Sequence, residues 1–458
     1  SAANAYGLNS YFARVNYGYD SRYLITATAR FDGSSKFGSS NRFAFFPSVG
    51  AAWRVSQEEF MKDNTPGISN LKLRASYGVT GNSETDAYAS QGALGNYTLV
   101  FSDAKASGIG ISSLANPELK WEKTSQVNLG LDLGLFDSRI NMEFDIYYKK
   151  TTDMLLDAPV PASSGYTTMV KNVGSMSNKG FEFSINTVNI QTKNFTWESS
   201  FNISFNKNKV LSLSEGNADI FPGPDILSAS NNIIRVGESV GSFYGYKRLG
   251  TWGTDEAEEA ARYGLLPGDL KLADMNNDGQ INDQDRVIIG KGIPDGYGTF
   301  SNTFRYRNFD LVVDLQYMFG NDVLDISKHS AEDRTGIANS YKTILDAWTP
   351  ENQNTMIAQL RPTGAGYTTN IDSHFVENGS FLRGKNLVLG YTFPSVLTEK
   401  MHLKFLRVYA SVQNFFLVTK YSGYDPEVSD ATQTFAQGIT VFGYPKPRTF
   451  TIGLNVNF

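Results

Sequence analysis

Alternating apolar and polar residues recur along the whole chain, and such runs place successive side chains on opposite faces of a strand. Near the end, Phe450, Ile452, Leu454, Val456 and Phe458 alternate with Thr449, Thr451, Gly453, Asn455 and Asn457. Val127, Leu129, Leu131 and Leu133 stand against Gln126, Asn128, Gly130 and Asp132. Ile140, Met142, Phe144, Ile146 and Tyr148 stand against Asn141, Glu143, Asp145 and Tyr147. The pattern predicts about thirteen strands, near 8–19, 22–32, 42–54, 70–80, 119–134, 138–151, 178–190, 194–210, 298–307, 309–320, 379–393, 403–418 and 448–458.

The links between these strands alternate short and long. Short ones fall at Asp20-Ser21, Phe136-Asp137, Gln191-Thr192-Lys193, Asn308, and in compact segments near Glu58–Met61 and Pro394–Met401; the longest are 211–297 and 321–378. Short turns on one rim and long external loops on the other describe a transmembrane antiparallel β-barrel, whereas a soluble Greek key scatters its loop lengths. The alternation alone also fits a soluble sandwich whose acids face water. An odd strand count does not close a barrel, so residues 1–458 are expected to form the C-terminal part of an all-β, plugged barrel of about 22 strands. The first strands would then lie outside this sequence, and the C-terminus would lie on the short-turn, periplasmic rim.

Composition narrows the classes further. Aromatics reach 13%, hydrophobic residues only 41%, with Gly at 42, which suits strands with one apolar and one polar face. No apolar run is long enough for a transmembrane helix, a test blind to barrels. A net charge of -5 offers no basic footprint for nucleic acid. Absence of cysteine removes disulfides and thiolate chemistry. The histidines, His329, His374 and His402, show no metalloprotease spacing, and neither a nucleophile-elbow nor a Walker pattern occurs, so no enzyme is expected. Ser1 to Ala5 lack the features of a signal peptide, which suggests a fragment or a processed beginning.

The sharpest chemical motif runs from Asp274 to Asp285 in the 211–297 link. Asp274, Asn276, Asp278 and Asp285 occupy positions 1, 3, 5 and 12 of an EF-hand-like loop, with Gly279 at the turn and Ile281 as anchor. With the Gln280 carbonyl, these oxygens make a candidate structural Ca2+ site, weakened by Asp in place of a bidentate Glu at the last position. The same residue types also build metal-free Asx turns.

Several segments in order resemble the SusC/RagA-like family of TonB-linked outer-membrane proteins. They include Asp32-Gly33-Ser34-Ser35-Lys36-Phe37-Gly38, Asn116-Pro117-Glu118-Leu119-Lys120-Trp121-Glu122, Asn172-Val173-Gly174-Ser175-Met176-Ser177-Asn178-Lys179-Gly180, Gly379-Ser380-Phe381-Leu382-Arg383 and Tyr424-Asp425-Pro426-Glu427. The resemblance implies an integral protein of the cell outer membrane that imports oligosaccharides or peptides with a SusD-like surface lipoprotein as lid. It also implies partners in the remaining N-terminal plug and barrel half, in the TonB complex reached through it, and in outer-membrane lipid. A scaffold subunit of a larger outer-membrane assembly is the alternative, and a soluble calcium-dependent lectin a third. Trp53, Trp121 and Tyr391 are candidate girdle aromatics, and Arg383 and Lys385 are expected at the lumen or rim. Tyr244, Tyr246, Tyr297, Tyr367 and Tyr421 either stack on sugar rings or pack within loops.

Overall fold

The computed structural model describes residues 5–62, 65, 67–101, 104–222, 231–332, 339–361, 371–428 and 437–458. Thirteen long strands form one antiparallel sheet in which each pairs with its neighbours in chain order. They are β1 (Leu8–Tyr19), β2 (Tyr23–Ser34), β3 (Phe43–Arg54), β4 (Ile68–Asn82), β5 (Glu122–Leu135), β6 (Ile140–Thr152) and β7 (Ser175–Gln191), followed by β8 (Phe195–Ser212), β9 (Gly296–Tyr306), β10 (Phe309–Phe319), β11 (Phe381–Thr392), β12 (Phe405–Thr419) and β13 (Thr449–Asn457). Each lies where the alternation put it, displaced by a few residues at the ends. The tight turns carry left-handed backbone, at Asp20 and Ser21 (φ 51 and 52) and at Phe136 and Asp137 (φ 53 and 54). Consecutive positive φ values match the twist of a hairpin.

The chain divides into two compact units, and β8 contributes to both, residues 195–201 to the second and 202–212 to the first. In the first unit, β1 to β7 keep their register so that one face is apolar. Tyr23, Trp53, Leu73, Leu131, Phe144 and Phe183 follow one another as cross-strand partners over six strands. The next residues along face the other way, where Lys72 pairs with Asp132 and Arg74 with Gly130. Where a long link leaves these strands a small core forms from Phe37, Phe46, Leu119 and Trp121. Trp121 is therefore not a girdle aromatic: it is buried, its Nε1–H donates to the Arg42 carbonyl at 2.8 Å, and Phe46 meets it edge-on. Trp53 and Tyr391 do lie on the apolar face, Trp53 beside Tyr23 and Tyr391 against Phe309. Two further hairpins, Ala93–Phe101 with Ala104–Ser113 and Leu155–Pro159 with Thr168–Asn172, were not visible in the pattern.

The second unit holds β9 to β13 together with folded parts of both long links. Ser242–Gly245 pairs with Asn232–Ile233 and Val287–Gly290; Arg248–Thr251 pairs with Leu270–Leu272. Asp322–Asp325 lies between Val376–Asn378 and a parallel Ile439–Thr440. These short pieces close over a core of Phe243, Leu324, Ile326, Ile371, Phe375 and Ile439, all almost wholly buried. At its margin Arg248 forms a doubly hydrogen-bonded pair with Asp372, at 2.9 and 2.6 Å, and its guanidinium lies over the Phe375 ring. Both members of this pair are out of contact with water.

Candidate functional site

Three arrangements in the chain bear on function. The first is the polar face of the sheet. Asp132 on β5 receives Lys72 at 2.6 Å and Arg74 at 2.8 Å, and Arg74 also reaches Asp145 on β6 at 2.8 Å. To do so it crosses β5 at Gly130, where a Cβ would come within 2.6 Å of the Arg74 guanidinium carbon. In the second unit the same device recurs: Arg407 of β12 pairs with Asp310 of β10 across Gly390, where a Cβ would stand 2.3 Å from an Arg407 nitrogen. A residue without a side chain thus lets two charges meet over an intervening strand. These charges are paired and half-buried, which makes a stiff wetted wall rather than a reactive centre.

The second arrangement is the loop region of the second unit. A cavity of about 1130 Å³ is bordered by Lys328, Glu377, Tyr421, Tyr424, Glu427 and Tyr444. Several of its charges are paired: Glu377 receives Lys328 at 3.0 Å, Glu427 receives Lys446 at 2.5 Å, and Asp425 receives Arg383 at 2.7 Å. Arg383 is accordingly a buried partner of the loop and not an open rim cation. Of the tyrosines considered for stacking, Tyr244, Tyr246 and Tyr421 are buried in loop packing. Tyr244 lies against Phe221 and the Arg286 guanidinium, and the Tyr421 hydroxyl donates to Asp325 at 2.9 Å. Burial first, then the Asp325 charge, push the Tyr421 phenol far above its ordinary range. Tyr297 is exposed, and Tyr367 lies outside the described residues. Around the cavity Tyr341, Tyr424, Phe442 and Tyr444 are exposed, and the sequence offered none of them for stacking.

The third is the Asp274–Asp285 loop. Gly279 makes the turn with φ 79. Asp274 accepts from the Asp278 and Gly279 amides at 3.2 and 2.8 Å, and Asp278 accepts from the Gln280 amide at 2.8 Å. The Asn276 side-chain amide donates to Asp278 at 2.9 Å. Asp285 is buried, with one oxygen on the Met275 amide and the other on the Asn282 amide, both at 2.8 Å. Burial raises the Asp274 carboxyl, but the Gly279, Asn277 and Asp278 amides outweigh it and hold the group below its usual range. The structure thus brings Asp274, Asn276 and Asp278 to one turn, with Asp285 anchoring its base. Among the described residues no three acidic or histidine side chains converge as metal ligands.

With this geometry, the comparisons with known proteins are decisive. The model for "TonB dependent receptor-like, beta-barrel" matches residues 1–316. The chain belongs to that family. TonB-dependent receptor P3 of Formosa agariphila is 40% identical over 470 residues, covering 100% of this chain and 46% of the relative. TonB-dependent receptor SusC of Bacteroides thetaiotaomicron is 34% identical, covering 98% and 44%. A solved RagAB peptide transporter superposes with TM-score 0.82 at 31% identity, over 99% of this chain and 48% of that one. The receptor chain is thus of the SusC/RagA type, a transporter and receptor family rather than an enzyme family, and integral to the outer membrane. It spans about half the length of the curated relatives it matches.

Proposed function

We propose that the receptor chain forms the C-terminal wall and outer loops of an importer that takes oligosaccharides or peptides across the outer membrane. The observation that carries this reading is the superposition of the chain, loops included, on the RagAB peptide transporter. The apolar face supplies the surface toward lipid and the laced polar face the lumen. The cavity and loops of the second unit supply the ligand-facing surface. A SusD-like lipoprotein closes over the loops, and the TonB complex drives transport through the plug and N-terminal half. Purification of the full-length receptor from outer membranes tests this. A SusD-like lipoprotein carrying glycan or peptide, with uptake abolished by loss of TonB, is the expected result. Recovery in fixed ratio with secretion or insertion machinery, and no uptake, would establish the scaffold role instead.

The Asp274–Asp285 loop is proposed to hold a structural Ca2+ through Asp274, Asn276, Asp278, the Gln280 carbonyl and Asp285. The spacing of hard oxygen donors and the turn at Gly279 support it; a bound ion would supply charge neutralisation and hold the loop. Calorimetric titration of the full-length receptor with calcium, before and after chelation, checks the assignment. Equal melting temperatures with and without chelator, together with no binding heat, would remove it.

A further inference from the structure

Four adjacent strands of the first unit carry lysines on their apolar face, all toward the same rim. The outward row of β6, Ile140 to Tyr148, continues to Lys150. Its cross-strand partners bring in two more: Tyr148 stands opposite Val127 and Lys179, Lys150 opposite Ser125 and Ser177, and Thr152 opposite Lys123. On β8, the Asn206 and Asn208 side chains donate to Asn178 at 3.2 and 2.9 Å, which places them on the polar face. The alternate residues Lys207 and Lys209 therefore point the other way. All five lysines are exposed.

Their position along the strands is equally consistent. Lys123 is the second residue of β5 and Lys179 lies early in β7, both just after a long link, while Lys150 and Lys209 lie late in strands that run into one. That end is the external rim of an outer-membrane barrel. Directly toward the mid-sheet from the lysines come exposed aromatics, Tyr148, Phe181 and Phe205, and then Leu129 and Ile146. The order of apolar band, aromatics and cations is that of a lipid interface, where lysine stems lie along apolar surface and the ammonium reaches headgroup depth.

A general girdle of snorkelling lysines would run onto neighbouring strands. It does not continue onto β4, which has Tyr77, Val79 and Gly81 at the matching levels. The nearby acids Glu143, Asp145 and Glu182 alternate onto the polar face, and no ion pair is formed by any of the five lysines among the described residues. With strands ~4.8 Å apart and ~7 Å between same-face residues, the ammonium groups cover a patch roughly 15 Å wide. An anionic headgroup with its acyl chains along the β5–β8 face satisfies both halves of this surface.

We propose that Lys123, Lys150, Lys179, Lys207 and Lys209 form a binding site for the phosphate-bearing headgroup of an outer-leaflet lipid. The test uses the full-length receptor in detergent and in phosphatidylcholine vesicles with or without lipid A, read by native mass spectrometry and melting temperature. Lipid A is expected to bind and stabilise the receptor, and its dephosphorylated form to bind far less. Replacing Lys150, Lys179 and Lys207 by Gln is expected to weaken retention by about five-fold per lysine, while Arg at the same positions retains it. Equal retention by the Gln variant, equal binding of dephosphorylated lipid, or saturation by inorganic phosphate alone would each overturn the proposal. A Gln variant that fails to insert is replaced by salt titration of the wild type, where undiminished retention at high ionic strength likewise overturns it.

Discussion

The sheet of the first unit and the loop core of the second are stabilised in opposite ways. In β5 and β6 the apolar side chains Val127, Leu129 and Ile146 are about half exposed, at 46%, 50% and 53%. In the loop core Phe243, Leu324 and Phe375 are at 0%. The wall is ordered by ladder hydrogen bonds and cross-strand pairs and leaves its apolar surface for lipid; the loops bury theirs as a soluble domain does. Alternation therefore governs one region and compact burial the other, so the two respond to different substitutions.

The sharpest way to separate them is to break the loop core alone. Asp372→Ala leaves the Arg248 guanidinium buried without its carboxylate, a loss of about 3–5 kcal/mol. Hydrogen exchange of the full-length receptor is expected to show opening around residues 246–251 and 371–376, with β5 and β6 still protected. Equal loss of protection in the wall would show that the two regions are one cooperative unit. Conversely, Leu129→Arg places a cation mid-strand on the lipid face, at a cost of about 2–4 kcal/mol. Urea-dependent folding into vesicles should register it, and if the same substitution proves neutral there, the apolar face does not meet lipid.

A smaller effect is expected from Gly130→Ala. The new methyl group would meet both the Arg74 guanidinium and the Asp145 carboxylate at 2.6 Å, so the cross-strand brace must shift. Overpacking of this kind costs about 1–3 kcal/mol. In the Asp145→Ala background the same substitution should cost distinctly less, because the brace is already gone; strict additivity in a double-mutant cycle would show that no brace exists.

These contrasts also explain what could be read in the amino-acid order. Every wall strand was legible because a period of two is imposed residue by residue, as in Phe144 against Asp145, whatever lies across the sheet. The hairpin at 93–113 was not, since Ala104, Ala106, Gly108 and Gly110 fill one face of its second strand and blur the period. The loop core was also hidden: Phe243, Leu324, Phe375 and Ile439 are far apart in sequence and meet only through tertiary packing. Trp121 was placed at a girdle for the same reason, while for Tyr244 and Tyr421 the sequence left stacking and loop packing both open and the structure shows the packing. An aromatic near a strand end looks alike in sequence whether it meets lipid or folds back onto Arg42 or Asp325. The Asp274–Asp285 motif was visible because its spacing is local; the lysine patch was not, because it needs the register of four strands.

Acid should distinguish the regions most gently. Glu332 is buried, accepts from Thr343 Oγ1 at 2.5 Å and pairs with His374 Nε2 at 2.7 Å. Burial raises its carboxyl, but the His374 and Thr343 hydrogen bonds and the Lys328 charge outweigh that, so the folded group titrates below its ordinary value of 4.5. A carboxylate depressed on folding adds stability above its unfolded pKa and loses it as pH falls through the folded one. Glu377, held down by Ser422 and Lys328 against its own burial, acts in the same direction. Protection of Ile326–Glu332 against hydrogen exchange should therefore be constant above about pH 5 and decline below it, and only this region's decline should respond to substitution of Glu332. Glu332→Gln retains an acceptor for Thr343 but cannot titrate, so it should flatten part of the decline and leave the Glu377 share. An unchanged acid profile in that variant would mean that the pair with His374 does not hold the short helix Ile326–Glu332.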